Sequence, residues 1–223
     1  MALLKDKDRK AVQQRLARLE TGVTLVCFTQ EMECLFCEQT RELVEEVASL
    51  SEKINVEVND FVQDKKRADE LGIDKIPAVA VLQPDGTDFG LRFFGIPSGY
   101  EFMSLLESLE MVSRGTSGLS AENAERIKAV REPMELQVFV TPTCPYCPRA
   151  VILAFKMAME NPLIRASMVE ATEFPHLSNR YGVGGVPHTV IGDSGQPMVG
   201  AYPEGAAVEM ILAASDTGRL RNR

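Results

Sequence analysis

The chain has 223 residues, of which 45% are apolar, and carries a formal net charge of −8. This length fits one large domain or two small ones, and the apolar content is sufficient for a packed core in each. The acidic balance argues against partners that are nucleic acids or anionic membrane surfaces.

The first eight residues become charged at Lys5 and contain no apolar core of signal-peptide length. No run in the sequence approaches the roughly 20 apolar residues of a membrane span. We therefore expect a cytoplasmic protein that does not enter a membrane. In that compartment a close cysteine pair is more often catalytic or metal-binding than a structural cross-link.

The first half predicts an alternation of helices and strands. A helix is predicted over residues 5–20, followed by an apolar strand over 23–29. Apolar residues at helical spacing follow Cys37, and residues 54–58 alternate between apolar and polar side chains, which is typical of a half-buried strand.

A polar, helical stretch then leads to Ile76 and Pro77. Residues 78–82 and 91–94 are predicted to pair as a hairpin around the turn at 84–86. Ser98 is a candidate N-cap for a helix that closes the first half near Val112.

The second half repeats this order after residues 113–118, a small-residue segment that we interpret as a linker. Its predicted elements are a helix over 120–130, strands over 136–140, 164–169 and 187–191, a turn at 193–195, and a helix containing Val208, Ile211 and Leu212. The predicted fold class is α/β, with two tandem domains over residues 1–117 and 118–223. Each is expected to be a mixed four- to five-stranded sheet flanked by helices.

Two Cys-x-x-Cys motifs, Cys34–Cys37 and Cys144–Cys147, lie at the ends of corresponding predicted strands. The offset in numbering between their first cysteines also relates Pro77 to Pro187 (144 − 34 = 187 − 77). The chain therefore carries one chemical unit twice.

Each motif lies where an apolar strand gives way to a helix. The helix N-terminus favours an anion, and the thiolate is the form of cysteine that attacks a disulfide. The second cysteine, one turn later, can displace the mixed disulfide that results. We interpret Cys34 and Cys144 as nucleophiles, and Cys37 and Cys147 as resolving thiols.

Pro77 and Pro187 follow the first cysteine of their own half at the same spacing (77 − 34 = 187 − 144). Both open an apolar strand, where a proline is otherwise unfavourable. Because X–Pro bonds adopt the cis form at moderate cost, we predict that both peptide bonds are cis.

Together, the strand, the Cys-x-x-Cys motif, the helix and the later proline resemble the thioredoxin superfamily, and Cys144-Pro-Tyr-Cys147 is similar to the glutaredoxin motif. Two such units resemble the glutaredoxin-like protein disulfide oxidoreductases. The resemblance implies two thioredoxin folds, exchange with disulfide-containing proteins, no bound cofactor, and electrons from an NADPH-dependent, thioredoxin-reductase-like flavoprotein.

The resemblance further implies that Ile76, Pro77, Val186 and Pro187 contact a bound substrate strand. One departure concerns the acidic residue that many thioredoxins bury in the strand before the motif. Phe28 and Val138 stand at the corresponding places. The group that accepts the thiol proton of the resolving cysteine therefore cannot be assigned by analogy with thioredoxin.

The surroundings of the two motifs differ in charge. Glutamates crowd the first motif, whereas hydroxyl groups and a cation flank the second: Glu31, Glu33 and Glu38 against Thr141, Thr143 and Arg149. Because carboxylates disfavour a nearby thiolate, we predict that Cys144 has a lower thiol pKa than Cys34 and that the C-terminal dithiol is the more reactive.

Three further expectations concern packing. Residues 151–159 have almost no polar face, so this helix is expected to lie centrally in its domain, against the other half, or against a second subunit in a homodimer. Cys27 is interpreted as a core residue, His188 as a candidate neighbour of the second dithiol, and His176 as a surface residue.

Two other functions compete with that of a disulfide oxidoreductase. Four cysteines could bind zinc or an iron–sulfur cluster, although zinc ribbons place their pairs much closer in sequence. Alternatively, the chain could be the electron-transfer module of a peroxide-reducing system. The resemblance implies that the tandem-thioredoxin arm of such flavoproteins keeps one dithiol, so two intact motifs favour the oxidoreductase. Whether it reduces, oxidises or isomerises disulfides is left open by the sequence.

Overall fold

A computed structural model describes residues 4–192 and 196–221, with side chains up to residue 216. The first half contains four helices and four strands among the described residues. They are α1 (Asp6–Leu16), β1 (Val23–Thr29), α2 (Cys37–Ala48), β2 (Ile54–Asp60), α3 (Lys65–Leu71), β3 (Ala78–Leu82), β4 (Asp88–Phe94) and α4 (Glu101–Arg114).

The second half repeats the same order of elements. They are α5 (Ala121–Ile127), β5 (Met134–Val140), α6 (Cys147–Glu160), β6 (Ile164–Glu170), α7 (Pro175–Arg180), β7 (His188–Ile191), β8 (Met198–Val199) and α8 (Glu204–Arg221). The α/β class and the tandem thioredoxin-like folds are confirmed, with four strands from each half.

All eight strands form one mixed sheet in the order β2-β1-β3-β4-β6-β5-β7-β8. The halves join where β4 and β6 run parallel, with Leu91 opposite Ala166 and Phe94 opposite Val169. Within each half, the first two strands are parallel, and the third strand is antiparallel to the first and to its hairpin partner. The sequence predicted two sheets, and their fusion into one is a feature of the tertiary structure.

The larger core lies on the sheet face covered by α1, α2, α4, α5, α6 and α8, and a smaller core lies under α3 and α7. Helix α6 packs on the first half as well as on its own strands. The Phe155 ring meets the edge of Phe93 on β4 at 5.1 Å between centroids, and α4 lies along α6. Its apolar surface is therefore buried between the halves, and no second subunit is needed to cover it.

Several predicted boundaries change. Helix α1 ends at Leu16 rather than near residue 20, and β4 begins at Asp88 rather than Leu91. Ser98 does not cap α4: the helix begins at Glu101, where the backbone N–H donates to the Ser98 carbonyl. Ser120 does cap α5, because its side chain accepts a hydrogen bond from the Asn123 N–H.

The predicted turn at 193–195 lies outside the described residues. The predicted linker begins inside the last turn of α4, and the boundary between residues 117 and 118 falls in the segment between α4 and α5. The division into domains 1–117 and 118–223 stays a proposal.

Candidate functional site: two dithiols at one edge of the sheet

The topology brings both motifs to the same end of the sheet, where the carboxyl ends of β1 and β5 lie. Strands β1 and β5 point the same way, because β4 and β6 link the halves in parallel, and each motif follows the carboxyl end of its strand. Cys37 and Cys147 are the first residues of α2 and α6. Both pairs are disulfide-bonded, Cys34 to Cys37 and Cys144 to Cys147.

The Ile76–Pro77 and Val186–Pro187 peptide bonds are both cis, as the spacing predicted. Because β3 and β7 run antiparallel to β1 and β5, each proline lies at the end of the sheet where its motif begins. In the second half, the Cys144 Sγ lies 3.8 Å from the Val186 carbonyl oxygen. The structure thus places Cys144 next to the residue before Pro187, and it places Pro77 at the same end of the strands as Cys34.

The two dithiols are separate sites. Strands β1 and β5 are four strand positions apart, which at about 4.8 Å per position gives about 19 Å along the sheet. The four motif cysteines are not gathered into one cluster, and the described part of the chain contains no group of three or more His, Cys, Asp or Glu residues that could hold a metal ion.

A groove of about 510 Å³ opens beside the first dithiol, on the side away from Pro77. Strand β2, which is the edge of the sheet, forms one wall, and the start of α2 forms another. Cys34 is partly exposed at this groove, whereas Cys37 is buried. Glu33, directly before the motif, has φ = 59°, the one positive φ among the described non-glycine residues.

The second dithiol is more enclosed. Cys144 is 8% exposed and Cys147 is fully buried. Strand β6, the counterpart of β2, is covered by β4 of the first half, and Glu170 at its end is buried where Asp60 of the first half borders the open groove. The two motifs therefore have the same chemistry and different access.

A buried carboxyl group of the first half lies close to the loop before the second motif, and the sequence did not reveal it. The Tyr100 N–H donates to the Pro142 carbonyl (2.9 Å), which holds the start of α4 against the loop before Cys144. Glu101, the next residue, is 1% exposed, and burial raises its pKa to about 7 although Ser104 donates to it. No signal in the sequence separates it from Glu107 and Glu110, the other acidic residues of α4.

Two further carboxyl groups, those of Glu170 and Glu173, lie between the two sites, at the end of β6 and just after it. Glu173 accepts a hydrogen bond from the Ile96 N–H (2.8 Å), and Glu170 accepts from Thr172 and from the Glu173 N–H. Burial, together with the neighbouring Glu170 charge, raises the pKa of Glu173 to about 7. These residues tie the second half to the loop after β4.

The remaining candidates, Cys27, His176 and His188, lie away from both dithiols or in the packed core. Cys27 is fully buried, and burial raises its thiol pKa to about 12, so it is a core residue as predicted. His176 is exposed. His188 packs edge-on against Phe139, which belongs to the smaller core, while the second dithiol borders the larger one. The expected approach of His188 to the dithiol is therefore not observed, and burial lowers its pKa.

Comparison with known proteins agrees with this architecture. Residues 134–213 match the thioredoxin domain family. The structure of a protein disulfide oxidoreductase from Aeropyrum pernix K1 is 29% identical, with a TM-score of 0.89 over 97% of this chain and 96% of that one. A structure of the alkylhydroperoxide reductase protein AhpF from Enterococcus faecalis is 28% identical, with a TM-score of 0.87 over 94% of this chain and 100% of that one.

Among curated relatives, the AhpF protein of the alkyl hydroperoxide reductase of Pseudomonas aeruginosa is 30% identical over 178 residues. The match covers 79% of this chain and 30% of that protein, so this chain spans less than a third of the length of that relative. Among the described residues, no helix is long and apolar enough to cross a membrane.

The fold and the paired cystines define a thiol–disulfide oxidoreductase whose chemistry is carried by its own cysteines. The second half carries a thioredoxin domain, and the whole chain has the architecture of two thioredoxin folds fused through one sheet.

Proposed function

We propose that this protein is a protein disulfide oxidoreductase with two dithiols, of which the C-terminal one is the more reactive. The observation that carries the proposal is the repeated arrangement of a cystine at a helix start beside a cis-proline strand. Both copies of the arrangement are intact.

In the reducing direction, the Cys144 thiolate attacks one sulfur of the substrate disulfide, forming a mixed disulfide and releasing one substrate thiolate. The Cys147 thiolate then attacks the Cys144 sulfur, releasing the second substrate thiolate and closing the Cys144–Cys147 disulfide. Two electrons pass to the substrate. Cys34 and Cys37 take the same roles at the first site.

The residues before the strands receive the substrate backbone in this proposal. Val186 and Pro187 are assigned to the second site, and Ile76 and Pro77 to the first, because they precede strands β7 and β3 at the end of the sheet where the motifs lie. An extended substrate segment placed there aligns its disulfide with the nucleophile. The 3.8 Å contact between Cys144 and Val186 supports this placement.

We assign Glu101 to proton transfer at the second site. A resolving thiol must lose a proton before it attacks, and a carboxyl group with a pKa near 7 is matched to that task at neutral pH. Glu101 lies at the start of α4, against the loop that leads into the second motif and on a helix that packs on α6. It would replace the strand carboxylate that is absent at Val138.

Electrons are proposed to come from an NADPH-dependent, thioredoxin-reductase-like flavoprotein, with no cofactor bound to this chain. The chain would then cycle between disulfide and dithiol forms in the cytoplasm. The similarity to AhpF proteins, which belong to alkyl hydroperoxide reductases, supports a role in which this chain passes electrons between redox proteins. The chain spans under a third of such a protein.

Insulin reduction with dithiothreitol tests the proposal. We compare the wild type with the double variants Cys34→Ser/Cys37→Ser and Cys144→Ser/Cys147→Ser. The second double variant is expected to lose most of the catalysed rate and the first to retain the larger share. If all three proteins match the uncatalysed rate, the proposal is wrong.

A second candidate function is that of an electron-transfer module in a peroxide-reducing system, which the similarity to the AhpF proteins of alkyl hydroperoxide reductases favours. In that case the reduced chain should reduce a disulfide-form peroxidase much faster than it reduces insulin. Single-turnover rates with the two oxidised proteins separate the functions.

A further inference from the structure

We propose that the groove beside Cys34 is a docking site for a disulfide-bearing polypeptide whose cysteine is flanked by basic residues, and that the second dithiol lacks such a site. The inference rests on the proposed function, because it assigns a partner class to one of the two dithiols.

The groove has the size and position of a substrate site. Its volume of about 510 Å³ lies within the range of ligand pockets, and both cysteines of the first motif line it. Strand β2 is an edge strand, so no element of the described chain covers this wall. A peptide lying in the groove would have its disulfide beside the Cys34 sulfur.

The walls of the groove are acidic. Glu31 and Glu38 are exposed beside the motif, and Asp60 ends β2 on the opposite wall. The one cation among the lining residues, Arg41, is bound to Glu45 by an ion pair of 2.7 Å. A chain that carries Lys or Arg next to its cysteine therefore matches the groove in charge.

Exposed apolar side chains line the groove or directly neighbour its lining residues in the sequence. Leu35, between the two cysteines, is 80% exposed, and Met32 is 75% exposed. Val62, just after β2, is also largely exposed. Apolar groups beside charged ones at a reactive centre are typical of a surface that binds a polypeptide, because they add buried area to the charge contacts.

The duplicated half shows that the groove is not a general property of the fold. At the offset that relates the two motifs, Glu38 corresponds to Pro148, Arg41 to Val151 and Val58 to Met168. All three counterparts are buried. The first half covers the corresponding region of the second site.

The reaction at the groove is a two-electron exchange. The Cys34 thiolate attacks the peptide disulfide and releases one peptide thiolate, and Cys37 then releases the other while the Cys34–Cys37 disulfide closes. The electrons come from the reduced dithiol, prepared with dithiothreitol that is removed before mixing.

The test measures single-turnover oxidation of each dithiol by three disulfide-linked peptide dimers, with Lys-Cys-Lys, Ser-Cys-Ser or Glu-Cys-Glu sequences. Cys144→Ser/Cys147→Ser isolates the first site, and Cys34→Ser/Cys37→Ser isolates the second as a matched control with almost the same net charge. Glu31→Gln/Glu38→Gln in the first background neutralises the groove. The ratio of basic to acidic rates cancels any change in thiolate content.

We expect this ratio to be about five-fold higher at the first site than at the second, and to fall to the control value in the groove variant or at about 0.5 M salt. Equal ratios at the two sites, or a ratio that the groove variant leaves unchanged, overturn the docking site while the oxidoreductase stands. If the first dithiol does not react even with the neutral peptide, the proposed function itself fails there.

Discussion

The two dithiols differ because one strand is at an edge and its duplicate is in the middle of the sheet. Asp60 and Glu170 follow the first cysteine of their own half at the same spacing (60 − 34 = 170 − 144) and end corresponding strands. Asp60 borders an open groove, and Glu170 is buried against the first half. The two halves therefore carry the same dithiol, and the position of each half in the sheet determines how accessible its dithiol is to a substrate.

The same contrast continues along the helices that follow the motifs. Arg41 and Glu45 form an exposed ion pair on α2, whereas Val151 and Phe155, at the matching positions of α6, are fully buried. Residues 151–159 of helix α6 are almost all apolar because α4 and β4 of the first half cover the face that α2 leaves to solvent. The comparison between the halves can be tested at matched positions.

The largest expected effect is on the interface between the halves. Phe155→Ala removes a buried ring that packs against Phe93, and should lower the free energy of unfolding by about 3–5 kcal/mol. The matched Glu45→Ala removes one partner of an exposed ion pair and should cost less than about 1 kcal/mol. Urea denaturation measures both, and similar losses would contradict the assigned packing.

The next effect concerns pH. Burial raises the pKa of Glu101 from 4.5 to about 7, so the folded state favours the protonated form. Stability should therefore fall as pH rises from about 4.5 to about 7 and level off above, by about 3 kcal/mol in total. Glu101→Gln should remove this decline, leaving the contribution of Glu173, which has the same sign.

Unfolding free energies at pH 5 and pH 8 check this prediction, with the exposed Glu122→Gln as control. An unchanged pH dependence in Glu101→Gln would show that the carboxyl group is solvated. The proton-transfer role adds a second readout, because the pH profile of insulin reduction should shift in Glu101→Gln when the second dithiol acts alone. It should not shift when the first acts alone.

An effect of about the same size is expected in the loop after β4, which contacts Glu170 and Glu173 of the second half. Gly95 has φ = 89°, and an added Cβ would lie 2.6 Å from the Cβ of Glu170, so Gly95→Ala should cost about 2–4 kcal/mol. Gly200 is its counterpart in the second half, because the Gly95 and Gly200 N–H groups donate to the Pro77 and Pro187 carbonyls. Gly200 has φ = 103° and no atom within 4 Å of an added Cβ, so Gly200→Ala keeps the backbone strain without the clash and should cost only about 1 kcal/mol, as thermal denaturation can show.

The smallest effect is on thiol ionisation. We predict that Cys144 has a lower thiol pKa than Cys34, because carboxylates surround the first motif. The pH dependence of iodoacetamide alkylation in the two double variants measures both values, with Glu31→Gln/Glu38→Gln expected to lower the pKa of Cys34 slightly. Equal values for the two nucleophiles would remove the electrostatic reason for unequal reactivity.

Much of the architecture could be predicted from local patterns. Apolar runs predicted β1 and β5, and the matched spacing of cysteine and proline predicted both motifs and both cis bonds. Boundaries were less accurate where capping decides them. Ser98 has the residue type of an N-cap, but the chain turns before the helix, and α4 begins at Glu101 with no side-chain cap.

Long-range contacts could not be predicted. Glu101 is far from Cys144 in sequence, and it lies near the loop before Cys144 only because the start of α4 is held against Pro142. His188 follows Pro187 directly, but its side chain points to the smaller core, since alternate residues of a strand face opposite sides of the sheet.

The sequence by itself determined the duplicated fold and the redox pair in each half. The spacing of apolar residues, of prolines and of cysteines is a local property of short segments, so it can be recognised without the tertiary structure. The tertiary structure alone decided that β4 pairs with β6, which fuses the halves, buries α6 and covers one flank of the second dithiol while β2 stays at an edge. Strand pairing across the halves depends on the fit of two assembled surfaces, and no single segment encodes that fit.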